Sequence, residues 1–309
     1  MSRPHKLPIL AVKHLADPGS GRLEDVCRKY GAFYIQDDGI LSGQVRPVGR
    51  EAADFFAQSE DRKARHIATP ENHFVGYRPL GSEASMLEDQ KENCEQYKIG
   101  YLKQGGQNSR DTATERLSDA CFEGGATLAY WLEAQRMSDA IIASLGEVLS
   151  LGREYFASRC SQPMHQLGLN RYPCVADKPV ISMSAHKDLC LLTLVAQEYA
   201  GLEIQVDNGD YELAEPIPGT VVCMLGEYMH RWSGGSVVAP MHRVRGSARV
   251  SRISVIYKHR PNFDAVIQTP LFCQDLDKFI EQNYKTGLSY EKKIFNIMGS
   301  DQADPAIGR

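Results

Sequence analysis

The chain has 309 residues, 42% of them hydrophobic and 24% charged, an ordinary globular composition that can bury a sizeable core without staples. Its 35 basic residues against 39 acidic ones leave a formal charge of -4, so no basic surplus draws it to nucleic acid or to an anionic membrane. No apolar run approaches the ~20 residues of a membrane span. The short run at 7–12 holds Pro8 and is no signal-peptide core, and the 8 cysteines form no CxxC pair, so the expectation is a soluble, cytoplasmic protein without a disulfide framework.

In chain order, residues 9–12 read as a short strand, 21–30 as a helix and 32–36 as an apolar, aromatic strand. Residues 44–65 read as one helix, with Val45, Val48, Ala52, Phe55 and Phe56 at near-helical intervals. The stretch 70–106 is mixed and rich in Gly, Tyr and acids. A long helical pattern runs over 114–157, interrupted near Arg136 and Gly146.

After about residue 160 the texture changes to short β-rich segments at 166–172, 189–196, 202–206, 211–214, 220–225, 237–244 and 252–259. Asp207-Asn208-Gly209-Asp210 is a hairpin turn signal between two of them. Residues 271–298 read as helix again. The predicted fold is mainly β with flanking helices, a single domain with a double-stranded β-helix (jelly-roll) core at 161–262. A helical and mixed part at 1–160 precedes the core, and a C-terminal helical segment at 263–298 and a tail at 299–309 follow it.

Three constellations carry chemistry. The first is His186-Lys187-Asp188 with His242. Residues two apart on a strand share a face, so His186 and Asp188 would point together and a returning strand would bring His242 opposite. Two neutral imidazoles and one carboxylate on one side of a divalent metal leave about three positions open, which suits non-haem Fe(II). With 9 His and 39 acids, roughly one His-x-acid arises by chance, so the tripeptide alone does not separate a metal site from a structural histidine. The second pair is Arg252 and Ser254: facing inward, a forked cation beside a hydroxyl would clamp a carboxylate, whereas taken alone the pair reads as a surface Arg on an edge strand. Ile253, Val255 and Tyr257 would face the helices. The third pair, Asn170 and Tyr172, has the same parity and offers hydrogen bonds.

Taken together, His186-x-Asp188, His242 and Arg252-x-Ser254 resemble the iron- and 2-oxoglutarate-dependent dioxygenases, with the isopenicillin N synthase-like branch as the nearest pattern. Asn170-Arg171-Tyr172-Pro173, Gly226-Glu227, Trp232-Ser233-Gly234-Gly235 and His242-Arg243-Val244 agree, as do Cys27 to Tyr34 and Gly76-Tyr77. Asp38, Glu227 and Gly235 depart from the commoner residues without touching the expected ligands. The resemblance implies that His186, Asp188 and His242 hold Fe(II). It also implies that Arg252, Ser254 and Tyr172 take the distal carboxylate of 2-oxoglutarate, with Asn170 near the other end, and that dioxygen is the oxidant. No protein acid or base beyond the ligands is needed.

The expected reaction is oxidation of a small-molecule metabolite, by default hydroxylation, with desaturation or cyclisation as variants, in natural-product biosynthesis. Arg78, Tyr97 and Lys98, from the segments 74–86 and 97–101, are substrate candidates. Two other readings stay open: an Fe(II) oxidase of the isopenicillin N synthase type that uses no 2-oxoglutarate, and a metal-binding jelly-roll protein without redox chemistry. No Gly-x-Ser-x-Gly elbow, His-Glu-x-x-His helix or phosphate loop supports a hydrolase or nucleotide enzyme.

Overall fold

A computed structural model describes residues 7–15, 22–37, 39–69, 75–82, 91–100, 125–161, 163–174, 181–206, 209–247, 249–262, 265–269 and 272–275. Two facing sheets form a jelly roll. The larger has the order β1-β2-β10-β7-β12-β5-β4-β3, and the smaller is β6-β11-β8-β9. In the first, β1 is Ile9–Ala11, β2 Ala32–Gln36, β3 Gly76–Arg78, β4 Glu95–Ile99, β5 Gln166–Tyr172, β7 Leu192–Gln197, β10 Thr220–Leu225 and β12 Arg252–His259. In the second, β6 is Ile181–His186, β8 Leu202–Gln205, β9 Tyr211–Leu213 and β11 His242–Arg245. Among these described strands only β1 and β2 pair in parallel; the other pairings are antiparallel.

Side-chain alternation on β12 explains the layering. Val255 and Tyr257 join Trp131, Met137 and Ile141 in the core beneath the helices, with Ile253 packed against it. The Tyr257 ring meets Trp131 edge-on at 5.8 Å between centroids. Ile256 turns the other way, toward Val195, Leu202 and Ile204 between the sheets, and Arg252 and Ser254 share its parity. The strand therefore carries an apolar outer row and a polar inner row, as the period of two demands.

Five α-helices flank the sheets among the described residues: α1 (Arg22–Lys29), α2 (Ile40–Phe56), α3 (Glu60–Ala64), α4 (Gly125–Val148) and α5 (Glu227–Trp232). In α1, Glu24 and Asp25 open the helix and Arg28 and Lys29 close it, which complements its dipole. Among the described residues no helix is long and apolar enough to cross a membrane. Six cysteines, at 27, 94, 160, 174, 190 and 223, are free thiols.

Several sequence expectations need correction. The predicted helix at 44–65 is two helices. The chain ends α2 at Phe56, Ser59 is extended, and its carbonyl accepts the N–H groups of Arg62 and Lys63 to start α3. The break rotates Lys63 inward. In α4 neither Arg136 nor Gly146 interrupts the helix. Gly146 is instead a close approach, because a Cβ there would lie 2.4 Å from the Gly152 carbonyl oxygen, and the helix ends at Val148 as Leu151 and Gly152 turn back onto the Gly146 carbonyl. Residues 114–124 lie outside the described residues.

The strand expected at 237–244 begins only at His242, because Pro240 lacks the donor a ladder needs. Before it, the Val238 carbonyl lies over Gly31, whose φ of +62° and lack of a side chain allow that contact. The helix expected from 271 is contradicted at its start: β13 (Val266–Thr269) and β14 (Phe272–Asp275) form an antiparallel pair. Cross-strand hydrogen bonds to the β-favouring Val266-Ile267 stretch outweigh the local helical pattern. The remainder of 271–298 and the tail at 299–309 lie outside the described residues. The mixed part at 1–160 contributes β1 to β4 to the large sheet.

The edge of that sheet is tied to α3 through Glu95, which is buried and accepts hydrogen bonds from Tyr77 Oη at 2.7 Å, Lys63 Nζ at 3.1 Å and Arg171 Nη1. Burial alone would raise its pKa, but these three donors hold it below the usual carboxylate range. Its stabilisation is therefore present at neutral pH and lost as pH falls through the depressed value. Glu95→Ala removes the acceptor shared by Tyr77, Arg171 and Lys63, leaving Lys63 only the exposed Glu60 at 2.7 Å, and is expected to cost about 3 kcal/mol in denaturant unfolding. A loss under ~1 kcal/mol contradicts the role assigned to this network.

Candidate active site

His186 ends β6 and His242 opens β11, and the register of the antiparallel pair sets them directly opposite. Their rings lie 4.3 Å apart between centroids. Asp188 follows in the turn into β7, where its carbonyl accepts the Glu227 N–H at 2.8 Å. The structure brings together the three residues that the sequence singled out, but by a different route. His186 and Asp188 do not share a strand face; the chain leaves β6 at His186 and the turn swings the carboxylate back beside it.

The His186 Nε2 stands 3.7 Å from Asp188 Oδ1, and the His242 Nε2 stands 3.7 Å from Asp188 Oδ2. One donor atom from each of the three residues falls within 4.8 Å of the others, the sole such His/Cys/Asp/Glu trio among the described residues. Each imidazole is oriented by a main-chain carbonyl at Nδ1: Ser184 O at 2.8 Å for His186 and Pro240 O at 3.2 Å for His242. This leaves both Nε2 lone pairs aimed inward, the tautomer a metal requires. Burial, and then the neighbouring His242, push the His186 pKa down to about 4; burial likewise lowers that of His242.

Asp188 is held from two further sides. Thr193 Oγ1 donates to Oδ2 at 2.6 Å, and Lys258 Nζ lies 2.9 Å from Oδ1. Burial would favour the protonated acid, but Lys258, the two histidines and Thr193 overcome it and keep the carboxyl far below its usual range. The site presents an anionic oxygen and two neutral nitrogens, a donor set that fits Fe(II) with positions left open for other ligands.

A second cavity wall is built from β12 and β5. Arg252 pairs with Tyr172 and Ser254 with Asn170 across the ladder, so all four parity partners face one space. The Arg252 guanidinium is 1% exposed and lies over the Tyr172 ring, 4.5 Å from its centroid. Its Nη1 donates to Ser254 Oγ at 3.1 Å and Gln197 Oε1 at 3.2 Å, whereas Nε and Nη2 are buried without a partner. A fixed cation with two unused donors costs free energy unless an anion completes it, and a carboxylate has the matching fork. Asn170 Nδ2 donates to Tyr172 Oη at 3.2 Å. Gly201 makes the space, since a Cβ there would lie 2.5 Å from Arg252 Cζ.

The substrate candidates divide. Tyr97 is a correction: it is buried in the core beneath the helices, its ring 4.8 Å from that of Phe55, on the outer face of β4. Lys98, the next residue, takes the opposite face with Gln96, and Arg78 pairs with Gln96 across the ladder. That face carries the Gln96 contact to Cys94, which packs against Tyr172. Phe74, residues 83–86 and Tyr101 lie outside the described residues.

Sequence reasoning missed Thr193, Gln197, Gly201 and Lys258. Of these only Lys258 carried a usable signal, its even spacing from Arg252 and Ser254. Because the imidazoles stay neutral, divalent-cation binding should change by less than about threefold between roughly pH 7.5 and 6 and collapse only toward the depressed value. Mn(II) titration calorimetry across that range checks this. A loss of more than about tenfold by pH 6 is what two ordinary histidines near ~6.5 would give, and would contradict the geometry.

Residues 163–261 match the 2OG-Fe(II) oxygenase superfamily, and residues 19–120 match the N-terminal family described as non-haem dioxygenase in morphine synthesis. A rice (Oryza sativa subsp. japonica) relative, Homoarginine-6-hydroxylase 2-ODD-233, is 28% identical, the match covering 88% of this chain and 84% of the relative. Gibberellin 2-beta-dioxygenase 8 of Arabidopsis thaliana is 24% identical, over 85% and 76% of the two chains. The crystal structure of a full-length Neurospora crassa protein in complex with alpha-KG has the same fold, with a TM-score of 0.71 over 95% of this chain and 96% of that one at 19% identity. On these matches the chain is a 2-oxoglutarate-dependent non-haem iron dioxygenase.

Proposed function

We propose that His186, Asp188 and His242 are the residues that hold Fe(II), and that Arg252 and Ser254 receive the distal carboxylate of 2-oxoglutarate. Tyr172 stacks on the guanidinium and, with Asn170, closes the wall around it. The observation that carries this assignment is the buried Arg252, with two unpaired donors on the same strand face as Lys258, which reaches Asp188. When bound, the iron couples oxidative decarboxylation of 2-oxoglutarate, to succinate and carbon dioxide, with oxidation of a substrate C–H bond by dioxygen.

The chain's own residues perform the positioning. Ser184 and Pro240 fix the imidazole tautomers, and Thr193 and Lys258 orient the carboxylate. Gln197 and Tyr172 hold the guanidinium in one pose, so the carboxylate it accepts arrives at a preset distance from the ligand trio. Hydroxylation of a natural-product intermediate is the reaction we assign, with Arg78 and Lys98 on the inner face of the sheet edge as substrate-facing cations. The rival in which Arg252 clamps a substrate carboxylate, without 2-oxoglutarate, differs in its products: it makes neither succinate nor the carbon dioxide of that decarboxylation.

Anaerobic reconstitution with Fe(II) followed by 2-oxoglutarate should produce the metal-to-oxo-acid absorption band, and substrate turnover should release succinate one for one. Absence of the band would sink the assignment. Arg252→Met should weaken 2-oxoglutarate binding by about a hundredfold or more, consistent with ~3–5 kcal/mol for a broken buried pair, while Mn(II) affinity stays near wild type. Equal loss of both would show that Arg252 supports the fold and not the cosubstrate.

A further inference from the structure

We propose that Glu92 is a positioning residue of the metal centre: its carboxylate holds the Ser184 peptide in place, and the Ser184 carbonyl in turn sets the ring of His186. The inference rests on the reading of His186 as an Fe(II) ligand and adds to it the group that fixes that ligand.

The need for such a group comes from the strand. Among the described residues β6 is an edge of the smaller sheet, and it does not run in step with β11. His186 lies opposite His242, Met183 opposite Val244 and Ile181 opposite Arg245, so the 6 residues of β6 face the 4 of β11. Ser184 and Ala185 therefore stand against Arg243 alone, a bulge of the kind that re-aims a side chain and interrupts the ladder. The Ser184 peptide is held on both sides of that bulge. Its N–H donates to Glu92 Oε2 at 2.8 Å, and its carbonyl accepts from His186 Nδ1, also at 2.8 Å. Both Glu92 and Ser184 are buried, so water does not readily replace the carboxylate as acceptor.

His242 shows the contrast. The carbonyl that orients it belongs to Pro240, in a segment tied down by main-chain hydrogen bonds: Val238 N–H to the Cys27 carbonyl at 2.9 Å, and Gln205 N–H to the Met241 carbonyl at 2.8 Å. On the His186 side the corresponding tie is a side chain from a distant part of the chain. Glu92 precedes β4, and two residues on Cys94 packs with Tyr172 of the larger sheet and with Met183 and Val244 of the smaller. That packing seats the backbone next to Glu92 against β6, and a charged acceptor makes the stronger hydrogen bond to the peptide. Carboxylate, peptide and imidazole thus form one relay. Turning the Ser184 peptide would take its carbonyl away from Nδ1, and Nε2 would lose its aim at the cavity.

The test crosses charge with reach. Glu92→Gln keeps an acceptor oxygen at the same length without the charge, Glu92→Asp keeps the charge on a side chain one methylene shorter, and Glu92→Ala removes both. In Mn(II) titration calorimetry Glu92→Gln should bind within about threefold of wild type, and Glu92→Asp and Glu92→Ala about tenfold weaker or more, the usual effect of losing a group that orients a ligand. Proton NMR of the Co(II)-loaded protein in water gives a readout that a general loss of stability would not. Wild type should show two strongly shifted, exchangeable imidazole N–H signals, and at saturating Co(II) Glu92→Asp should move or broaden one and leave the other in place. If Glu92→Ala does not fold, the Gln and Asp variants decide. Glu92→Gln binding as weakly as Glu92→Asp, Glu92→Asp binding like wild type, or the two signals moving together or not at all each overturns the proposal. A wild-type spectrum without two such signals overturns the histidine ligand assignment itself, so the two failures are distinct.

Discussion

A carboxylate charge buried between two sheets is the constraint on which this molecule is organised. Asp188 is nearly inaccessible to water, and an isolated carboxylate there would take up a proton. It does not, because Lys258, Thr193 and two inward-facing imidazoles surround it. Each of those groups comes from a different part of the jelly roll: the end of β6, the start of β7, the start of β11 and the inner face of β12. The register of the sheets is therefore also the geometry of the candidate metal centre. A slip of one residue in β11 or β12 would remove a ligand or the counter-charge.

The strand β12 shows how economically one segment can serve both stability and chemistry. Its outer row packs against Trp131 and the rest of α4, which fixes the strand's position. Its inner row then presents Arg252, Ser254 and Lys258 at set intervals along the cavity. Arg252 is costly to bury with two donors unpaired; Gly201 makes room for its guanidinium, which lies over the Tyr172 ring.

Much of this was legible in the sequence because β-alternation has a strict period. Residues 252–259 and 166–172 were read as strands with the correct inner and outer faces, and the trio 186, 188 and 242 was singled out. What failed has physical reasons. The strand carrying His186 has no legible bounds in the sequence because Ser182 and Ser184 interrupt its apolar pattern, although the structure buries both. Asp188 reaches the site by a turn, which pattern reasoning placed on a strand. Tyr97 and Lys98 were grouped as pocket residues although neighbours on a strand must face opposite ways, and burial against Phe55 decides which one turns outward. Thr193 and Gly201 had no local signal at all: their roles exist only through contacts with residues distant in sequence.

X-ray absorption at the iron edge of the anaerobically loaded protein tests the central claim most directly, because it counts the ligands without needing a substrate. The account predicts two imidazoles with oxygen donors in the remaining positions and no sulfur, and the loss of one imidazole in either His186→Ala or His242→Ala. A sulfur ligand, a different number of imidazoles, or an unchanged spectrum in those variants would contradict it.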